Sequence, residues 1–208
     1  FKTFRQGVLF VRTQRMILWI FIVTFLVGGF GEAFGILWQA HVLNAVTLPS
    51  LGELTDLVWF GILNAMFVPI GLIATELVRR RVTLTDNNAV VRVLTLVFIG
   101  VIVSVLLFAL SDVFILLVLA LWLNRMLMTM SAPLIEAWSN QHIRSDVRAT
   151  VLSIQGQVNS LGEIAGGPVV GFIGTLTSIR FALSVSALIL LPLTPVFNRS
   201  HLPATDAD

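Results

Sequence analysis

The chain of 208 residues is 57% hydrophobic and only 12% charged, with a mean hydropathy of +0.95, against roughly a quarter charged residues in an ordinary soluble domain; this is the composition of a membrane protein. It holds no cysteine and three scattered histidines, which excludes a disulfide framework or a thiolate metal site and leaves no metal or other cofactor to expect. The sequence pI near 10.4 accompanies a formal net charge of only +2 with the basic residues at span ends, so nucleic acid is not expected among the partners.

A window of about 19 residues places apolar segments at 16–38, 57–78, 90–110, 113–135, 150–174 and 180–197. At about 1.5 Å per residue each covers most or all of a hydrocarbon core of about 30 Å. The alternation that a β-barrel needs is absent. The predicted fold is therefore all-α, a polytopic membrane protein with six transmembrane helices in one domain over 1–208. The first span is no signal peptide, because "FRQGVLFVRTQR" precedes it and no small-residue cleavage site ends it. A start at Phe1 with this basic lead-in sets the expectation that a further segment precedes it.

With a cytoplasmic N-terminus, the inside segments hold Lys2, Arg5, Arg12, Arg15, Arg79, Arg80, Arg81, Arg92, Arg144, Arg148 and Arg199, and the outside turns hold only Arg180. That asymmetry predicts both termini in the cytoplasm of a multi-pass protein of the plasma (cytoplasmic) membrane. The longest external connection, "VLNAVTLPSLGELTD", carries Glu53 and Asp56 and no base. Only Ser111 and Asp112 separate the third and fourth spans, which makes those two helices antiparallel neighbours.

Polar residues are unevenly shared among the spans. The first has Glu32 and Gln39 with Gly28, Gly31 and Gly35 close by; the second has Asn64; the fourth has Asn124 and Arg125; the fifth has Gln155, Gln157, Asn159 and Glu163, followed by Gly166, Gly167, Pro168, Gly171 and Gly174. The third and sixth carry only serine and threonine, which predicts that they face lipid. Arg125 and Glu163 fall about 18 and 20 Å into their spans, near the midplane and able to pair. Gln155, Asn159 and Glu163 share one side of a helix. Ionisable groups inside spans commonly mark substrate or proton paths, although an ion pair that only locks two helices accounts for the same residues. Asn64 reads as an interhelical hydrogen bond, the glycines as close helix contacts, and Pro168 as a bend beside a carboxylate. Trp19, Trp38, Trp59 and Trp138 read as interface anchors.

"GLIATELVRRR" (Gly71 to Arg81), "RATVLS" (Arg148 to Ser153) and "GGPVVGFIG" (Gly166 to Gly174) resemble motifs of the major facilitator superfamily. The first is similar to its glycine-acid-basic loop motif, the others to the start and middle of its eleventh helix. The acid, Glu76, stands one place late, Val78 replaces a glycine, and Phe172 replaces the second closing glycine. The resemblance runs across the whole chain and implies helices seven to twelve, one half of a major-facilitator fold whose missing N-terminal six-helix half is a partner together with the lipid bilayer.

It further implies a secondary active transporter working by alternating access, most similar to drug-efflux members, with a small-molecule substrate and protons or another coupling ion. Glu32, Gln39, Asn64, Asn124, Arg125, Gln155, Asn159 and Glu163 are then the substrate- or proton-binding set. Gly71, Glu76, Arg79, Arg80, Arg81, Arg148, Gly167, Pro168 and Gly171 are the conformational set. An uptake transporter for a sugar or organic anion, or a non-transporting six-helix scaffold, remain the alternatives. An intramembrane enzyme is not expected, since no nucleophile turn or His-Glu-x-x-His occurs and no histidine lies deep in a span.

Overall fold

The computed structural model describes residues 15–49 and 56–199. Lys2, Arg5 and Arg12 of the basic lead-in and Glu53 of the long connection lie outside the described residues. Every regular element among those described is a helix: α1 (Arg15–Ala45), α2 (Asp56–Ala65), α3 (Phe67–Arg81), α4 (Asn87–Leu110), α5 (Phe114–His142), α6 (Arg148–Leu176), α7 (Ile179–Leu188) and α8 (Leu193–Arg199).

Five stretches are long and apolar enough to cross a membrane: Arg15–Ala45, Leu57–Arg81, Asn87–Leu110, Phe114–His142 and Ile179–Phe197. The segment 150–174, expected as a span of the same kind, does fold as one helix, α6, but is not among the five. Gln155, Gln157, Asn159 and Glu163, together with its glycines, dilute its apolar content. Hydropathy thus supports five crossings rather than six, and α6 owes its place to packing on α1.

Two of the spans are interrupted, and proline explains both. Pro69 has no N–H for the carbonyl of Ala65 and its ring crowds that oxygen; the chain turns at Met66, and α2 ends where α3 begins. Pro192 acts likewise on Leu188. Around it the backbone tightens into bonds to the third residue back, from Leu190 N–H to Ala187 O and from Leu191 N–H to Leu188 O, both 3.1 Å. The result is the gap between α7 and α8. Pro133 and Pro168, by contrast, sit inside the continuous helices α5 and α6.

The most extensive packing joins α1 to α6 and α4 to α5, as the short turn after α4 requires. Helix α3 lies on α5, and α4 is backed by α7 and α8. The interior between α4, α5 and the last helices is aromatic: the Phe197 ring stacks on Phe98 at 5.7 Å and meets Trp138 edge-on at 5.3 Å. Trp38 and Trp138, expected as interface anchors, are therefore core residues, 4% and 0% exposed. On its other side α4 leaves Leu96, Ile99, Val103, Leu107 and Leu110 uncovered. That apolar stripe at helical spacing suits the lipid-facing role expected for it.

Glycine governs the contact of α1 with α6. A Cβ on Gly166 would run into the backbone of Gly29, and one on Gly162 into the carbonyl of Phe25. A Cβ on Gly28 would meet the Asn159 carbonyl oxygen at 2.6 Å. Residue numbers rise together along the two helices, so they run parallel with their backbones in contact, as small residues allow. By contrast, the Gly71 Cβ position lies 3.9 Å from Thr129 Cγ2, and nothing approaches Gly31, Gly35 or Gly171 within 4 Å.

The turn after α4 is fastened to α7. Asp112 accepts hydrogen bonds from the Arg180 guanidinium, and that neighbouring cation holds the Asp112 carboxyl below the usual carboxylate range. A folded-state pKa below the unfolded one contributes stability that is complete above the unfolded value, about 3.9, and is lost as pH falls through the folded value. The thermal midpoint of the native protein is therefore expected to fall more than that of Asp112→Asn as the buffer is taken from neutral into the acid range. Equal acid slopes for the two proteins in a melting series would show that the pair does not contribute.

Candidate functional site

Call the end where α1 finishes and α5 begins the upper end. Counted down from the upper helix termini at about 1.5 Å per residue, Glu32 on α1, Phe67 on α3, Arg125 on α5 and Glu163 on α6 all lie about 17 to 20 Å deep. At the same depth α4 has Val97 to Ile99 and the α7–α8 segment has Leu190 to Pro192, all apolar. Ionisable side chains at this level are thus confined to three helices, and a fourth supplies an aromatic ring.

Glu32 and Arg125 are exposed and Glu163 half-buried. The Asn159 Nδ2 donates to Glu163 Oε1 at 2.8 Å across one turn of α6. Glu32 lies over Gly167, whose Cβ position would be 3.1 Å from Glu32 Cγ. Gly167 thus leaves room for a carboxylate-bearing side chain against the α6 backbone. Both acids consequently border the α1–α6 crossing.

Arg125 stands apart from them. No ion pair joins it to Glu163 or Glu32 among the described residues. The expected Arg125–Glu163 pair is absent because α5 and α6 do not pack extensively: α6 leans on α1 and α7, α5 on α3 and α4. The guanidinium lies instead over the Phe67 ring, 4.6 Å from its centroid. Phe67 also meets Trp38 edge-on at 6.1 Å, and Trp38 meets Phe60 at 5.7 Å. An aromatic series therefore connects α5 through α3 to α1. Cation–π contact is worth about 1 to 2 kcal/mol when partly desolvated, enough to fix a rotamer yet not to offset a charge deep in a bilayer.

Asn124, expected in the same binding set, turns the other way. It is 1% exposed, and its Nδ2 approaches Ser104 Oγ on α4 at 3.5 Å. Successive residues on a helix point about 100° apart, so Arg125 reaches α3 while Asn124 enters the core. Asn64 is exposed and donates to Phe60 O of its own helix at 2.7 Å, not across helices as expected. Gln39 is exposed nearer the upper end, and Gln155, nearer the lower end, has a buried Oε1 without a partner among the described residues. Ser153, Gly156, Gln157, Ser160, Leu161 and Ile164 line an open groove on α6.

At the lower end Glu76 is the focus of a local ion cluster. Arg79 grips it with Nε and Nη2 at 2.8 and 2.7 Å, and Arg80 Nε adds a third contact. All three residues belong to α3, so the cluster makes no bond to another helix here. Arg81 is exposed. Arg148 opens α6 and donates through Nη2 to Ile143 O at 3.4 Å. Gly171 and Pro168 lie on the half-buried to exposed side of α6.

Phe67 and Pro69 are the site features that sequence reasoning missed. Pro69 was the available signal, because a proline twelve residues into a span removes one bond of its ladder and crowds the carbonyl four residues back. Chemically, the arrangement offers two carboxyl groups for proton exchange and a guanidinium able to hold an acceptor. Comparison with models of known families, with characterised proteins and with solved structures returns no match.

Proposed function

We propose that this chain is the C-terminal six-helix half of a secondary transporter of major-facilitator type, exporting small amphipathic compounds in exchange for protons by alternating access. The observation that carries this reading is the common depth of Glu32, Arg125 and Glu163, on α1, α5 and α6, with only apolar residues at that depth on α4, α7 and α8. Charges there would cost at least a few kcal/mol against acyl chains, so the face that bears them borders water or protein. Helix α6, too polar for lipid on all sides, crosses the membrane beside α1 in this reading. Helix α3 faces the first half of the transporter across the cavity.

The remaining residues take roles accordingly. Glu163, oriented by Asn159, and Glu32, lying over Gly167, exchange protons. Arg125 contacts substrate, and Asn124 serves packing. Glu76 with Arg79, Arg80 and Arg81, and Arg148 at the start of α6, hold one conformation at the cytoplasmic side. Pro168 removes one hydrogen bond from the continuous helix α6, and with Gly167 and Gly171 it permits movement there.

The test is flux of lipophilic dyes of either charge in proteoliposomes holding the product of the complete reading frame. Glu163→Gln is expected to cut flux driven by a pH gradient by about tenfold or more, the usual scale for losing an essential proton-transfer group, while dye binding and elution profile persist. Unchanged gradient-driven flux removes Glu163 from coupling, and a native protein that moves no dye under any gradient sinks the transporter reading.

A further inference from the structure

We infer that the compound handled at the level of Arg125 carries a planar anionic group, a carboxylate, gripped by the guanidinium while Phe67 restrains it; this rests on the transporter reading above and names its substrate class. Arg125 is exposed near mid-depth, with its guanidinium over the Phe67 ring and with neither a hydrogen bond nor an ion pair among the described residues. A cation over a ring uses the π-face alone, so all its N–H donors are left for something the chain does not provide. Arginine's planar fork fits a carboxylate through two parallel hydrogen bonds.

The chain's own acids are placed elsewhere. Glu163 accepts from Asn159, and Glu32 lies over Gly167 on the α1–α6 crossing. Neither neutralises Arg125, and α5 and α6 do not pack extensively. At one depth, then, acids stand on α1 and α6 and an uncommitted base on α5 against α3. An amphipathic anion matches the second: its charge meets Arg125, and its apolar body meets the uncovered side chains of α3, among them Val68, Leu72 and Ile73. A cationic amphiphile would set its charge against the one cation at this depth among the described residues.

The test is equilibrium binding of a matched pair of probes, pyrenebutyrate and pyrenebutyl-trimethylammonium, to the purified full-length protein without any gradient. The native protein is expected to prefer the carboxylate. Arg125→Gln should weaken the carboxylate probe by about tenfold or more, the worth of a charge-assisted bidentate contact, and leave the ammonium probe within about twofold. Arg125→Lys, which keeps the charge but not the fork, should fall between, as should Phe67→Leu; Arg125→Lys decides the matter if the glutamine variant elutes as aggregate. A native preference for the ammonium probe or for neither, or equal losses for both probes, overturns the assignment. So does recovery of carboxylate binding in Arg125→Gln/Glu163→Gln, because Arg125 would then have been offsetting Glu163. No proton movement is involved, so this outcome is separate from that of the Glu163→Gln flux measurement.

Discussion

Gly166→Val is expected to abolish recovery of monodisperse protein, or to leave a remnant destabilised by about 3 kcal/mol or more, the upper part of the range for overpacking. The reason is what the new side chain meets. At Gly166 it is the backbone of Gly29, and at Gly162 the carbonyl of Phe25, neither of which can turn aside without separating α1 from α6. Between transmembrane helices no hydrophobic drive restores the contact, because lipid tails are as apolar as the surface they would cover; close packing is the main attraction. Gly166→Ala should already be damaging, since the first carbon alone overlaps. At Gly100 the Cβ position lies 2.9 Å from Leu127 Cδ1, the movable tip of a side chain, so Gly100→Ala should be mild. Gly171→Ala and Gly156→Ala meet nothing within 4 Å and should lie within about 0.5 kcal/mol of the native protein. A melting series in detergent ranking Gly171 with Gly166 would show that α1 and α6 are not in backbone contact.

Part of this arrangement is legible in the sequence alone. Helical extent followed from hydropathy and turn chemistry: Ser111–Asp112 forces α4 against α5, and the limits of α4 and α6 fall within about three residues of the predicted spans, whereas α1 runs on past its predicted end at the upper end and α5 past its predicted end at the lower end. The glycine-rich segments in the first and fifth spans were recognisable as contact surfaces, but their register, Gly166 against Gly29, depends on two elements meeting. Depth was legible and direction was not. Arg125 and Glu163 do lie at one level, yet sequence spacing does not say toward which neighbour a side chain on α5 turns. Asn124 and Arg125, adjacent in the chain, were assigned one role and diverge to α4 and α3. The interruption at Met66 does not register in an apolar count, which is indifferent to Pro69.

The largest expected contrast in chemical behaviour follows from the claim that one face of the helix assembly is wet. The chain has no native cysteine, so single cysteines report on their own surroundings. Gln157 and Ser160, which line the open groove on α6, and Gly35 on α1, about one turn from Glu32, are exposed, whereas Leu96 and Val103 on α4 are 68% and 48% exposed on the apolar stripe. Accessibility in the isolated chain does not separate the two sets, but the surrounding medium does. A thiol must ionise to attack a maleimide; in hydrocarbon the thiolate is strongly disfavoured, and a sulfonated maleimide does not enter. In native membranes, Gln157→Cys, Ser160→Cys and Gly35→Cys are expected to label at least about tenfold faster than Leu96→Cys and Val103→Cys, since each pKa unit of suppressed ionisation lowers the reactive fraction about tenfold. Leu121→Cys, in a position that is 0% exposed, should label as slowly as the α4 pair. Comparable rates at Ser160 and Val103 would mean that α6 meets the same medium as α4, and the polar row from Gln155 to Glu163 would then have to be explained by protein packing rather than by a transport path.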